Sequence, residues 1–180
     1  MKEGIPSALL YKDITVKARL TNPNQTEKAI QSMNAQFLGK DLQTDRYFET
    51  QKGKLKWREG TIENLITHYE RFTEDVLERT IVYRYDLNPS EEMIDNLFKN
   101  HTHVGTTKKE RKIYKLDNIK IHLDKLPNNK EFIEIEAIDS ENKFTIEQLR
   151  SQCMKIKENL GIADVDMVPT GYLKSSEDKI

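Results

Sequence analysis

A single cysteine, Cys153, occurs in the 180 residues, so no disulfide can form within the chain and a reducing compartment suits it. Long apolar runs are missing as well. None approaches the ~18 residues of a membrane span, and the opening MKEGIPSALLYK is short and polar for a signal peptide. A cytoplasmic protein with no membrane partner is therefore expected. Glycine (7) and proline (5) are sparse and nowhere clustered into a linker, so one domain over 1–180 is expected. Neither sign of charge dominates. With 29 basic and 30 acidic residues the net charge is −1, which argues against nucleic acid or any partner held by bulk electrostatics. Charged residues still make up 33% of the chain against 36% hydrophobic, so their placement matters more than their sum.

What the sequence does have is alternation. In EFIEIEA (residues 131–137), Glu134 and Glu136 fall on one face of a strand, and Ile133, Ile135 and Ala137 on the other. DITVKARL, DRYFET, KLKWRE, LITHYERF, LERTIVYRYDL, KKERKIYKL and NIKIHLDKL also read as strands. Asn118 and the stretch PNNK supply turn chemistry between the last three. Three helical patterns interrupt them. NPNQTEKAIQSMNAQFLG is expected to start at Asn24 or Thr26 and end near Gly39. NPSEEMIDNLFKN starts at Ser90, and FTIEQLRSQCMKIKENLGI runs from Thr145 to Gly161. Strands joined by short turns indicate an antiparallel sheet and an α+β class.

The strand faces carry charge in sets: Lys17 with Arg19; Lys54 with Lys56 and Arg58; Tyr69 with Arg71; Lys109 with Arg111; Lys120 with His122 and Asp124. A sheet of about eight strands tends to curl, and closure removes its exposed edges. Closure with the charged faces inward leaves the aliphatic faces outside, under the helices. Inward cations need an anion, since burying like charges together is unfavourable. The same faces offer only Asp124, Glu134, Glu136 and Asp13 as balancing acids. That mixture suits a polyanion held by Lys and Arg, with a divalent cation bridging phosphates to carboxylates.

Nine short motifs in order carry a family likeness: VKARL, QTDRYFE, GKLKWRE, HYERF, LERTIVY, KKERKIY, IKIHLDKL, EFIEIE and GYL, over about residues 12–174. In combination the chain resembles the CYTH superfamily, the triphosphate tunnel metalloenzymes, and within it the class IV adenylyl cyclase-like branch. The resemblance implies a closed or nearly closed eight-stranded antiparallel β-barrel with helices packed outside. Its inner cations would hold a triphosphate (ATP, tripolyphosphate or thiamine triphosphate) and its acids Mg²⁺ or Mn²⁺. Lys17 matches the lysine of an E-x-E-x-K signature, and Lys56 and Arg58 match a pair of basic positions. Arg71, Arg79, Lys109 and Arg111 match later phosphate-binding positions. Asp124, Glu134 and Glu136 match the acidic ones, the last two as metal ligands. The signature's two glutamates fall on Asp13 and Thr15, and Thr15 cannot replace an anionic ligand.

The resemblance thus implies an adenylyl cyclase-like enzyme, with triphosphate hydrolysis as the alternative, or a non-catalytic polyphosphate- or nucleotide-binding module if Thr15 has cost catalysis. Catalytic roles are expected at Glu134, Glu136, Asp124 and Lys17. Substrate contacts are expected from Lys17, Arg19, Lys56, Arg58, Arg71, Arg79, Lys109, Arg111, Lys120 and His122, and metal contacts from Glu134, Glu136, Asp124 and Asp13. His122 is expected to be a hydrogen-bonding wall residue rather than a general base. Trp57, on the opposite face from Lys56 and Arg58, is expected under a helix. Cys153 is expected to be a buried, inert thiol. KKERK divides between two faces, which weakens a nucleic-acid reading.

Overall fold

In the computed structural model, residues 10–168 are described; GYL, with Tyr172, lies outside them. Eight strands form: β1 (Tyr11–Arg19), β2 (Gln36–Phe48), β3 (Lys54–Glu59), β4 (Leu65–Glu74), β5 (Leu77–Leu87), β6 (His103–Leu116), β7 (Ile119–Lys125) and β8 (Glu131–Asp139). They close into a ring in the order β1-β5-β4-β3-β2-β6-β7-β8, every pair antiparallel. Period-two alternation then assigns each side chain to the inside or the outside of the ring. Asp117 at φ 53° and Asn129 at φ 64° make the tight turns before and after β7.

The aliphatic faces point outward and are covered by helices. Ile14, Val16, Ile121, Ile133 and Ile135, from β1, β7 and β8, pack with Leu149, Cys153 and Ile156 of α3 (Ile146–Asn159) and with Ile30 of α1 (Pro23–Ser32). Leu55, Trp57, Phe48 and Ile66 pack under Leu97, Met93 and Ile94 of α2 (Glu91–Asn100). Trp57 takes the expected place, and its indole N–H donates to Asn64 (3.1 Å). Thr145 caps α3 with a capping box to Gln148, and Ser90 caps α2.

The first helix departs from the expected span. It is capped by Asn22, through the Gln25 backbone N–H, rather than by Asn24 or Thr26. It ends at Ser32 instead of near Gly39, because Asn34 turns the chain at φ 59° and β2 begins at Gln36. The first half of β2 escapes pattern reading because its inward residues, Asp41 and Gln43, are polar, so no apolar alternation marks it.

Candidate functional site

The ring encloses a cavity of about 360 Å³, within the size range of small-molecule sites. Lys56 and Arg58 enter it from β3, Arg71 from β4, Arg111 from β6, and Lys120 and His122 from β7. Asp13 of β1 and Glu134 and Glu136 of β8 form the opposing wall, since β3 lies across the ring from that pair of strands. Tyr11, Leu65, Val82, Tyr85 and Ile138 add an apolar and aromatic section.

Five of the expected site residues sit elsewhere. Lys17, Lys109 and Asp124 are buried inside the ring, at 5%, 6% and 1% exposure, but stand outside the cavity lining. Arg19 has the right parity for the interior, yet it is the last residue of β1, is exposed, and reaches the Val165 carbonyl. Arg79 faces outward, because the inner residues of β5 are its neighbours Glu78 and Thr80. Its guanidinium lies over the Phe72 ring (4.9 Å) and near Glu74 (3.7 Å). Neither arginine can meet a ligand in the cavity.

The interior also carries more acid than the strand faces suggested. Asp45, 1% exposed, accepts two hydrogen bonds from Arg58 (2.8 and 2.9 Å) and one each from Lys109 (3.0 Å) and Lys56 (3.3 Å). Those three cations hold its carboxyl well below the usual range. Arg111 clasps Asp124 at 2.6 and 2.7 Å and reaches Glu134 at 3.1 Å. Arg71 pairs with Glu78 (3.2 Å). Glu63, from the loop between β3 and β4, faces Arg58, Arg111 and Lys120. Asp45 was detectable in principle, since it shares a face with Tyr47 in DRYFET. Glu63 has no strand period to betray it, and Tyr85 is re-aimed by an irregularity in the β4–β5 register.

Burial sets the electrostatics. It lowers the Lys56 ammonium to about 8, with the neighbouring Arg58 adding to the effect. Lys109 falls to about 7, and Lys17 to about 8, for the same first cause. Burial and the facing Glu136 push the Asp13 carboxyl well above the usual carboxylate range. His122 is 3% exposed and stands 3.6 Å from Glu134, and neither of its ring nitrogens has a hydrogen-bond partner among the described residues.

Two like-charged carboxylates sharing a buried wall accept a cation readily. Among the described residues no three acidic, histidine or cysteine side chains form a complete cage. Mg²⁺ does not require one, because it commonly takes one or two carboxylates and completes its shell with water and phosphate oxygens. Asp13 and Glu136 fit that requirement. Asp124 does not, since both its oxygens are held by Arg111. Glu134 keeps only part of its capacity, being shared with Arg111 and His122. Thr15 adds no charge and turns its hydroxyl to Asp13 (3.3 Å).

No helix among the described residues is long and apolar enough to cross a membrane. Comparison with known proteins matches a CYTH domain model to residues 12–172. The PH1012 protein of Pyrococcus horikoshii OT3 shares the fold at a TM-score of 0.74 and 28% identity, over 90% of this chain and 98% of that one. A candidate adenylate cyclase from Vibrio parahaemolyticus gives 0.74 at 14% identity, over 92% and 97% of the two chains. A candidate adenylyl cyclase from Hippeastrum with a dominant triphosphatase activity gives 0.61 at 12% identity, over 93% and 96%. No curated protein matches the sequence. With nearly its whole length under one family model, and the eight-stranded ring that the motifs imply, the chain belongs to the CYTH domain family.

Proposed function

We propose that the protein is a divalent-metal-dependent enzyme acting on a triphosphate, with cyclisation of ATP to cyclic AMP and pyrophosphate as its reaction. One observation carries this reading: a single cavity sets Lys56 and Arg58 across from the carboxylates Asp13 and Glu136, with Arg71, Arg111 and Lys120 lining the same space between them. Cations would bind and orient the phosphate chain, and Asp13 and Glu136 would hold Mg²⁺ or Mn²⁺ against it. The section formed by Tyr11, Leu65, Val82 and Tyr85 supports an organic triphosphate over a bare inorganic one, because it offers apolar surface to a base or ring. His122, whose Nδ1 faces Glu134 and whose Nε2 has no hydrogen-bond partner among the described residues, suits a hydrogen bond to the ligand rather than proton abstraction.

In the cyclisation the ribose 3′-hydroxyl gives its proton to solvent, its oxygen bonds to the α-phosphorus, the α–β anhydride breaks, and pyrophosphate leaves with the displaced charge. Lys56, Arg58 and Lys120 are placed to stabilise that charge as it develops. A bound divalent ion supplies Lewis acidity toward phosphate oxygens and lowers the pKa of a coordinated hydroxyl. The fold alone does not choose cyclisation over hydrolysis, since function resides in the site.

A second reading, a tunnel that binds a triphosphate with little turnover, draws on Thr15 and on the Arg111 clasp, which together leave few free carboxylates. Incubation with ATP, tripolyphosphate and thiamine triphosphate, each with Mg²⁺ or Mn²⁺, tests both. Cyclic AMP and pyrophosphate from ATP are expected. Orthophosphate release would make the enzyme a triphosphatase, and binding of all three without turnover would favour the module.

A further inference from the structure

We infer that Glu63 is a resident anion of the tunnel, occupying cations that a phosphate chain needs and so setting how much charge a ligand must bring. This inference rests on the triphosphate reading above. Of the other acids in the cation network, Asp45 (2.8 Å from Arg58) and Asp124 (2.6 Å from Arg111) are locked by short contacts behind the wall, and Glu134, which does line the cavity, is held by Arg111 at 3.1 Å. Glu63 differs. Its carboxylate lines the cavity itself and stands among cations of three strands, 3.3 Å from Lys120, 3.7 Å from Arg58 and 3.9 Å from Arg111. Those spacings are shared ion pairs rather than a clasp.

The loop that delivers Glu63 is fixed independently of its charge. Asp41, fully buried, accepts hydrogen bonds from the Thr61 N–H (2.7 Å), the Thr61 hydroxyl (2.9 Å) and the Glu63 N–H (2.9 Å). Gly60 lets the chain pass Asp41, since a Cβ there would lie 2.4 Å from a carboxylate oxygen. Gln43 donates to the Glu63 side chain at 2.8 Å. A phosphate chain entering the cavity must share Lys120, Arg58 and Arg111 with this carboxylate and meets its repulsion. A triphosphate reaches enough further cations to offset that cost, whereas a shorter chain has fewer. Glu63 therefore weakens retention of pyrophosphate, the product of the proposed reaction.

The test is calorimetric titration of tripolyphosphate and of pyrophosphate, without metal, into wild type and Glu63→Gln. Both ligands should bind roughly tenfold tighter to the variant, the scale of one charged contact, with the gain shrinking as salt is added. Unchanged or weaker binding in the variant, with wild type binding normally, overturns the inference and leaves the triphosphate reading standing. Absence of binding to both proteins removes that reading, and this inference with it. If Glu63→Gln fails to fold, Glu63→Ala, which keeps the backbone bond to Asp41, must show the same tightening. Failure of both to fold makes Glu63 scaffold and overturns the inference.

Discussion

Two cations in one cavity can do different work, and Lys56 and Arg111 show how. Lys56 is one of three cations on Asp45, so its loss leaves that carboxylate with Arg58 and Lys109. Lys56→Ala should therefore keep the fold and weaken tripolyphosphate binding about tenfold, the worth of one charge-assisted hydrogen bond. Titration calorimetry beside a circular dichroism spectrum checks both halves of that statement. Arg111 is a partner of the fully buried Asp124 and of the half-buried Glu134, with its own side chain 3% exposed. Arg111→Ala should lower stability by several kcal/mol, because it removes the two-point contact that compensates the buried Asp124 charge. A denaturation midpoint close to wild type would show that water reaches Asp124 once the guanidinium is gone.

At the scale of the element, β1 is where this chain departs from the signature that its family resemblance implies, and Thr15 marks the place. Its register partners are Glu78 on β5 and Glu136 on β8, and Asp13 lies two residues away on the same face. Thr15→Glu would add a fourth carboxylate to a buried acidic corner that includes no cation of its own strand nearer than Lys17. Without metal, the variant should melt below wild type, because buried like charges repel. With Mn²⁺ it should recover and gain more stability than wild type does, because a ligand bound only by the native state stabilises it. Equal melting shifts on adding Mn²⁺ to both proteins would mean that the corner holds no cation.

The same strands show how much could be read in advance. β3, β5 and β8 keep the bounds their alternation indicates, and Glu134, Glu136, Lys56 and Arg58 fall on the inner face as their spacing requires. Parity fails where a strand outruns the ring, as at Arg19, or where the likeness of a motif was followed against the period, as at Arg79. The inner half of β2 was hidden because a polar tunnel removes the hydrophobic contrast on which strand reading depends. Glu63 was hidden because its position comes from a loop pinned by Asp41 rather than from any periodicity.

For the whole molecule, the consequence of building a core from ion pairs is an unusual response to pH. Native Lys109 titrates near 7 and native Lys17 and Lys56 near 8, against 10.5 for an ordinary lysine. Between those values the unfolded chain holds protons that the native protein has released, so stability rises with pH over that window. Buried Tyr11 and Tyr47 act in the other direction. Burial raises both hydroxyls above the usual 10.0, so the unfolded chain loses protons that the native protein keeps, and stability falls above that pH. At the acid end, the depressed Asp45, Glu63 and Glu134 contribute stability that is lost as pH drops below the ordinary carboxylate range. Urea midpoints should therefore climb from pH ~7 to ~9.5 and drop by pH ~11. A flat profile from neutral to mildly alkaline pH would mean that the three lysines are hydrated. Ligand affinity should run against stability, because phosphate needs the charged form of Lys56, and tripolyphosphate binding should weaken as pH rises through about 8. Lys56→Arg keeps its charge throughout that range, so it should retain binding at alkaline pH if Lys56 is the group that titrates. If the alkaline loss persists in that variant, it belongs to another group.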